Sequence, residues 1–322
     1  MKRLGLLLTI ALALAHTAAV AEPLPSWESG PVRSALLDFV GQLTEPDSST
    51  YRPPTERIAV FDHDGTLIVE RPLLVQMAFV HERVRELSPA HPEWAELAPF
   101  ATVLEGDNEV LAEMGFRGTA ALVNAAQAGI SQVEFRGAVS RFLDQARHPR
   151  FEVVYPRLVY QPMLELIALL TASDFRVYIV SSGGLEFIRG LSESVYGVPR
   201  DRVVGSVMKY ELREEGAALA VWRKTGFQTL NAGSFKVLNI DRHIGRRPLL
   251  AVGNSDGDLE MLSYTHAGKG SLAVLLRHDD ARREYAYAED SARVLPVASE
   301  RDWLVVSMQK DFRQVFPNGD RF

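Results

Sequence analysis

Three short runs that are apolar at almost every position divide the chain, and each stops at a polar loop. Ile58-Ala59-Val60-Phe61 runs into Asp62-His63-Asp64-Gly65-Thr66, Phe175-Arg176-Val177-Tyr178-Ile179-Val180 into Ser181-Ser182-Gly183-Gly184, and Pro248-Leu249-Leu250-Ala251-Val252 into Gly253-Asn254-Ser255-Asp256-Gly257-Asp258. Runs of this kind suit strands buried on both faces, as in a parallel sheet covered by helices. Leu272 to Leu276 has the same character. Helical spacing of Val32, Leu36, Leu37, Val40 and Leu43 predicts a helix over Pro31 to Leu43, closed by Glu45-Pro46-Asp47-Ser48-Ser49 and Pro53-Pro54, and a second amphipathic helix is predicted from Pro162 to Leu170. Strand, polar loop and helix in repetition predict an α/β fold with a doubly wound, mostly parallel sheet whose loops share one edge.

The alternation breaks between about Pro72 and Arg150. Helical patterns fill that stretch at Val75 to Leu87, Glu109 to Met114, Thr119 to Ala128 and Gln132 to Ala146. The reading is an inserted α-helical cap, residues 72–150, between two pieces of one core, residues 22–71 and 151–322. From Arg202 to Trp222, short apolar pieces flank Glu214-Glu215-Gly216 and predict a β-hairpin.

Charge and composition narrow the partners. With 35 Lys and Arg against 41 Asp and Glu, and no basic run, the chain is not built for nucleic acid or an anionic membrane. Lys2 and Arg3, the apolar stretch Leu4 to Ala15 and then Ala19-Val20-Ala21 have the three parts of a secretory signal peptide. The apolar stretch is short of the ~20 residues that span a bilayer. Residues 1–21 are therefore expected to be removed after Ala21, giving a periplasmic or secreted protein with no membrane attachment. The absence of cysteine excludes a disulfide framework, a thiolate nucleophile and a Cys-ligated metal.

The chemistry concentrates behind the strands. Asp62 and Asp64 leave the first strand two residues apart, so both carboxylates project to one side and can share a hard cation such as Mg²⁺. The same Asp-x-Asp-Gly is also ordinary turn chemistry. Alternation points His63 the other way. Ser181 and Ser182 can bind an anion with the amide of Gly183, or cap the helix that follows. Gly233-Ser234-Phe235-Lys236 opens another helical pattern, whereas Gly268-Lys269-Gly270 lacks phosphate-loop spacing and reads as a turn. His278-Asp279-Asp280 reads as a strand-ending turn.

This order of motifs resembles the haloacid dehalogenase superfamily, closest to its phosphoserine-phosphatase-like branch, over Ile58 to Leu262. The resemblance implies a Rossmann-like core with a helical cap. It also implies an Mg²⁺-dependent phosphomonoesterase acting on a small phosphorylated metabolite through an aspartyl-phosphate. Asp62 matches the nucleophile and Asp64 the general acid and base, and dehalogenases of the superfamily lack an acid at the second position. Ser181, with Ser182 as runner-up, Gly183 and Lys236 match the phosphate-binding groups. Asp62, Asp64, Asn254 and Asp258 match the metal site. Asn254 stands where the family commonly has Asp, so Asn254 and Asp256 compete for one ligand position. Cap residues Arg117, Arg136, Glu105 and Trp94 are candidates to line the substrate pocket. A phosphotransferase, or a silent binding protein that keeps the fold, are the alternatives.

Overall fold

Alternate residues of the first core strand enter different cores. In the computed structural model, which describes residues 22–106 and 115–319, Ile58 and Val60 of β1 (Ile58–Phe61) join Val180, Ala251, Met261 and Leu275 on one face of the sheet. Ala59 and Phe61 join Ile179, Val252, Val274 and Leu276 on the other. All of β1 is buried, as a strand covered on both faces must be.

The remaining strands are β2 (Arg176–Gly184), β3 (Val203–Glu215), β4 (Ala218–Thr229), β5 (Leu250–Gly253), β6 (Leu272–Arg277) and β7 (Leu304–Ser307). They form one seven-stranded sheet in the order β4-β3-β2-β1-β5-β6-β7. Only the β3–β4 pair is antiparallel. This is the doubly wound, mostly parallel α/β fold that the apolar runs predict. From β1 the chain steps outward through β2 and β3, then returns to the other flank of β1 at β5. That reversal opens a crevice at the carboxyl ends of β1 and β5, where such sheets bind ligands. Phe61 is in register with both Ile179 and Val252, so the three motif loops leave the sheet side by side.

The helices Pro31–Thr44, Val75–Leu87, Gln132–Gln145 and Gln161–Ala172 fall where the periodicity places them, and the helix expected over Thr119 to Ala128 is Gly115–Gln127. Helix Gln132–Gln145 starts on a reciprocal cap: the Ser131 hydroxyl accepts the Glu134 amide, and the Glu134 carboxylate accepts the Ser131 amide. The leader, residues 1–21, and the helical pattern at Glu109 to Met114 lie outside the described residues. Among the described residues no helix is long and apolar enough to cross a membrane.

The hairpin is longer than its sequence suggests. β3 first pairs in parallel with β2 and then, from Val207 onward, antiparallel with β4, which runs on to Thr229. The outer part of β4 mixes Lys224, Thr225, Gly226 and Gln228 with Phe227, and the register shifts around Met208, so no clean alternation marks it. Its support comes from the helical insert: the Arg223 amide donates to the Ile130 carbonyl at 2.9 Å, and the Gly129 amide donates to the Arg223 carbonyl at 2.8 Å.

Candidate active site

Asp62 follows β1 directly and is tied to β5 by its amide, which donates to the Val252 carbonyl at 2.9 Å. Its side chain accepts from Lys236 Nζ at 2.6 Å, and the same ammonium donates to Asp258 at 2.6 Å. All three groups are buried. Lys236 sits in the first turn of helix Ser234–Ile244, which brings it from the next motif to the β1–β5 crevice. Burial is the largest single influence and disfavours the charge, but the Asp258 and Asp62 carboxylates together outweigh it, raise the Lys236 pKa and keep the ammonium charged. One cation for two acids leaves Asp62 short of neutralisation: burial first, then the Asp258 charge, push its carboxyl up to about 7 despite Lys236.

Asp258 spends its other oxygen on the Asn254 and Ser255 amides, each at 3.1 Å, and on the Ser255 hydroxyl at 3.2 Å. Fully buried, it holds Lys236 and the loop together. Asp256 does not turn inward; it accepts the Arg293 and Val294 amides at 2.8 Å each. Asn254 faces the site, accepting from the Thr66 hydroxyl at 3.0 Å and donating to Glu70 at 2.8 Å. Gly65, at φ 69, lies so close under these groups that a Cβ there would overlap the Asn254 amide and the Glu70 carboxylate.

One buried oxygen of Asp64 has no hydrogen-bond partner. His63 is buried with Nε2 3.0 Å from the Tyr196 hydroxyl, but its Nδ1 lies 3.3 Å from the second Asp64 oxygen, so the ring is not opposed to both acids as simple alternation predicts. Ser181 is buried and Ser182 exposed. The Ser181 hydroxyl accepts the Gly183 amide at 3.0 Å, so that amide is committed and the Ser181 proton is free to be donated. Neither serine caps the following helix, Leu185–Ser192: β2 runs on to Gly184, which is the N-cap and makes no side-chain cap bond.

The acids fit a hard divalent cation. Asp62 and Asp258 share Lys236, the Asp64 charge acts on both Asp62 and Glu70, and burial raises the Glu70 carboxyl, so these four acids are balanced by one lysine alone. Among the described residues no cluster of three or more acidic, His or Cys ligands is arranged for a metal. A pair of carboxylates with an amide oxygen, completed by substrate and water, is the limited protein contribution that Mg²⁺ takes.

Several supporting residues carried no readable signal. The Asn231 amide donates to the Ser181 carbonyl at 2.8 Å and accepts from Asn239 at 2.9 Å, linking the Lys236 helix to β2. Gln76, from the insert, accepts the Gly184 amide at 2.6 Å. His278 is buried rather than a plain turn residue. Its Nε2 lies 2.7 Å from the Gly65 carbonyl and its Nδ1 3.1 Å from Glu284. Tyr287 stacks on it at 4.4 Å and donates to Glu70 at 2.5 Å. A histidine five strands later in sequence order could be connected to Gly65 only through the sheet.

Beside this group lies a cavity of about 500 Å³, reached by Asp64, Ser182 and Gly183 at one end. Arg117, Arg136, Glu105 and Trp94 do not line it. Arg117 and Glu105 are exposed, Trp94 is buried in a stack between His91 and Phe100, and Arg136 is turned outward to Glu186 at 2.8 Å.

Residues 59–263 match the family of haloacid dehalogenase-like hydrolases. No curated protein matches the chain in sequence. Among solved structures, a functionally unknown protein from Anaerococcus prevotii aligns at a TM-score of 0.50 and 15% identity, over 77% of this chain and 86% of its own. A protein of unknown function from Bordetella pertussis aligns at 0.50 and 14%, over 78% and 98%. A phosphoserine phosphohydrolase-like protein from Francisella tularensis aligns at 0.43 and 16%, over 79% and 95%.

Proposed function

The chain belongs to the haloacid dehalogenase-like hydrolases, and from that membership and the site's geometry we propose that it is an exported, Mg²⁺-dependent phosphomonoesterase. The observation that carries this reading is the division of labour between the two acids of the first motif. Asp62 is buried against Lys236, while Asp64 keeps an unpartnered oxygen and reaches the cavity where a leaving group would lie. An Asp62 oxygen attacks phosphorus as the bond to the leaving oxygen breaks, and Asp64 delivers a proton to that oxygen. Asp64 then takes a proton from the water that attacks the aspartyl-phosphate, releasing phosphate and restoring Asp62. Lys236 and the free Ser181 hydroxyl supply positive charge and a hydrogen bond to the phosphoryl oxygens. Asp62, Asp64 and Asn254 would hold Mg²⁺, which when bound would neutralise the acid excess around a phosphoryl oxygen. The helical insert, with the hairpin, serves as the cap over this site.

Phosphate release from a panel of small phosphomonoesters, with Mg²⁺ and with chelator, tests the activity. Release should require the metal, and Asp62→Asn should lower it on the order of 10⁴-fold, about 5 kcal/mol of barrier, with circular dichroism unchanged. No release from any ester, together with retained binding of a phosphorylated ligand by Asp62→Asn, would establish a silent binding protein in its place. Export predicts that the protein recovered from the periplasm or medium begins at Glu22, and N-terminal sequencing that finds Met1 would refute it.

A further inference from the structure

The cavity beside Asp64 has walls of a consistent kind. Leu74, Met77 and Val123 come from the insert, Met208 and Phe227 from the hairpin, and Phe235 from the helix that carries Lys236. Three of the large apolar side chains left exposed lie on this one cavity: Leu74 at 40%, Phe116 at 62% and Phe235 at 51%. Grouped exposed apolar side chains around a concave site mark a ligand surface.

The charged groups of the walls are already spent. Glu186 is held by Arg136 at 2.8 Å, Arg189 at 2.6 Å and Arg200 at 3.2 Å. Arg223 donates to the Gln127 carbonyl at 3.2 Å, the Gln127 side chain at 2.7 Å and the Gln132 side chain at 3.0 Å. Away from Asp64, then, each ion of the lining is already held by several protein groups, and desolvating the ammonium and carboxylate of an amino acid there without dedicated partners is costly. Nor does it suit a quaternary ammonium: the Arg223 guanidinium lies over the Tyr210 ring, 5.9 Å from its centroid, and sets a fixed positive charge on the lining.

Building on the phosphatase reading, we infer that the substrate's leaving group is a bulky apolar alcohol or phenol, so that the enzyme prefers alkyl and aryl phosphates to phosphoserine or phosphocholine. The phosphoryl group sits at the Asp62, Lys236 and Ser181 end, and the apolar group extends between insert and hairpin.

The test is kcat/KM for phosphate release from ethyl, butyl and hexyl phosphate, 1-naphthyl phosphate, phosphoserine and phosphocholine. The alkyl series should rise at least about tenfold from ethyl to hexyl, in keeping with the gain per buried methylene, and naphthyl phosphate should exceed phosphoserine by about 100-fold or more. Phe227→Ala should flatten the alkyl series and Phe227→Leu restore it, which separates wall contact from a folding defect. A flat series in the unaltered protein, or a preference for phosphoserine or phosphocholine, overturns this inference and leaves the phosphatase standing. Release from none of the esters sinks the phosphatase reading and this inference with it.

Discussion

At the floor of the site, beside the cavity, one lysine is shared by two buried carboxylates, and Asp64, which reaches the cavity, keeps an oxygen with no partner. In its walls Glu186 and Arg223 are each satisfied by several partners, and the other large side chains are mostly apolar. The floor is held in an electrostatically incomplete state, which is useful only if something charged arrives to complete it. The walls hold their charged groups in hydrogen bonds and leave apolar side chains incomplete in contact, which suits an apolar guest. Reaction type and substrate choice are thus carried by separate parts of the fold.

Removing the floor's only lysine should have the largest effect on stability. Lys236→Met would leave Asp62 and Asp258 buried with no cation, and breaking a buried pair in this way costs about 3–5 kcal/mol. Urea unfolding measures it through a lower midpoint at unchanged slope. A loss under about 1 kcal/mol would mean that the acids take up protons instead, and that the contrast between an unbalanced floor and hydrogen-bonded walls is weaker than drawn. Phosphate release should be lost in the same variant.

The walls can be loosened separately. Arg223→Ala removes a buried guanidinium that fastens β4 to Gln127 and Gln132, and charge-assisted bonds of this kind put the cost at about 2–3 kcal/mol. Amide exchange should rise at Gly129 and Arg223, which pair the hairpin with the insert, while β1 and β5 stay protected. Equal loss of protection in β1 would show that floor and walls open as one unit.

The same contrast explains what was legible in the sequence. The mostly parallel sheet and the placing of Asp62, Asp64, Ser181 and Asn254 at one edge follow from apolar runs whose next residues are polar, because a strand delivers its following residue to the sheet edge, while the insert's helices follow from periodicity and Lys236 from its place in the order of motifs. The walls are drawn from Leu74, Val123, Met208, Phe227 and Phe235, each ordinary in its local pattern, and only tertiary packing joins them. Charged cap residues such as Arg117 and Arg136 were the wrong place to look, because long polar side chains on a helical insert turn toward solvent or toward each other's charges. Asp258 has the spacing of a ligand or of a partner to Lys236, and its bonds to the Asn254 and Ser255 amides and to the Lys236 ammonium could not be read from that spacing. The strand at Leu304–Ser307 is too short and too close to the edge to stand out.

Glu186 gives the smallest and most specific test, because it joins the two regions: Arg136 belongs to the insert, and Arg189 and Arg200 to the core. Burial alone would raise its carboxyl, but hydrogen bonds from Arg136 and then Arg189 hold it below the usual carboxylate range. A folded-state pKa below the unfolded one stabilises the protein above the unfolded value of about 4.3, and that contribution disappears as pH falls through the folded value. The arginine side chains are 25–52% exposed, so solvent screens the pairs and the contribution is ~1 kcal/mol. Glu186→Gln should therefore unfold at lower temperature than the unaltered protein at pH 7, and the gap should close as pH drops below about 4, because a protonated Glu186 differs little from glutamine. A gap that persists at pH 3 would assign the effect to packing rather than charge, and the insert would then be held to the core by shape and by Gln76 in place of this ionic joint.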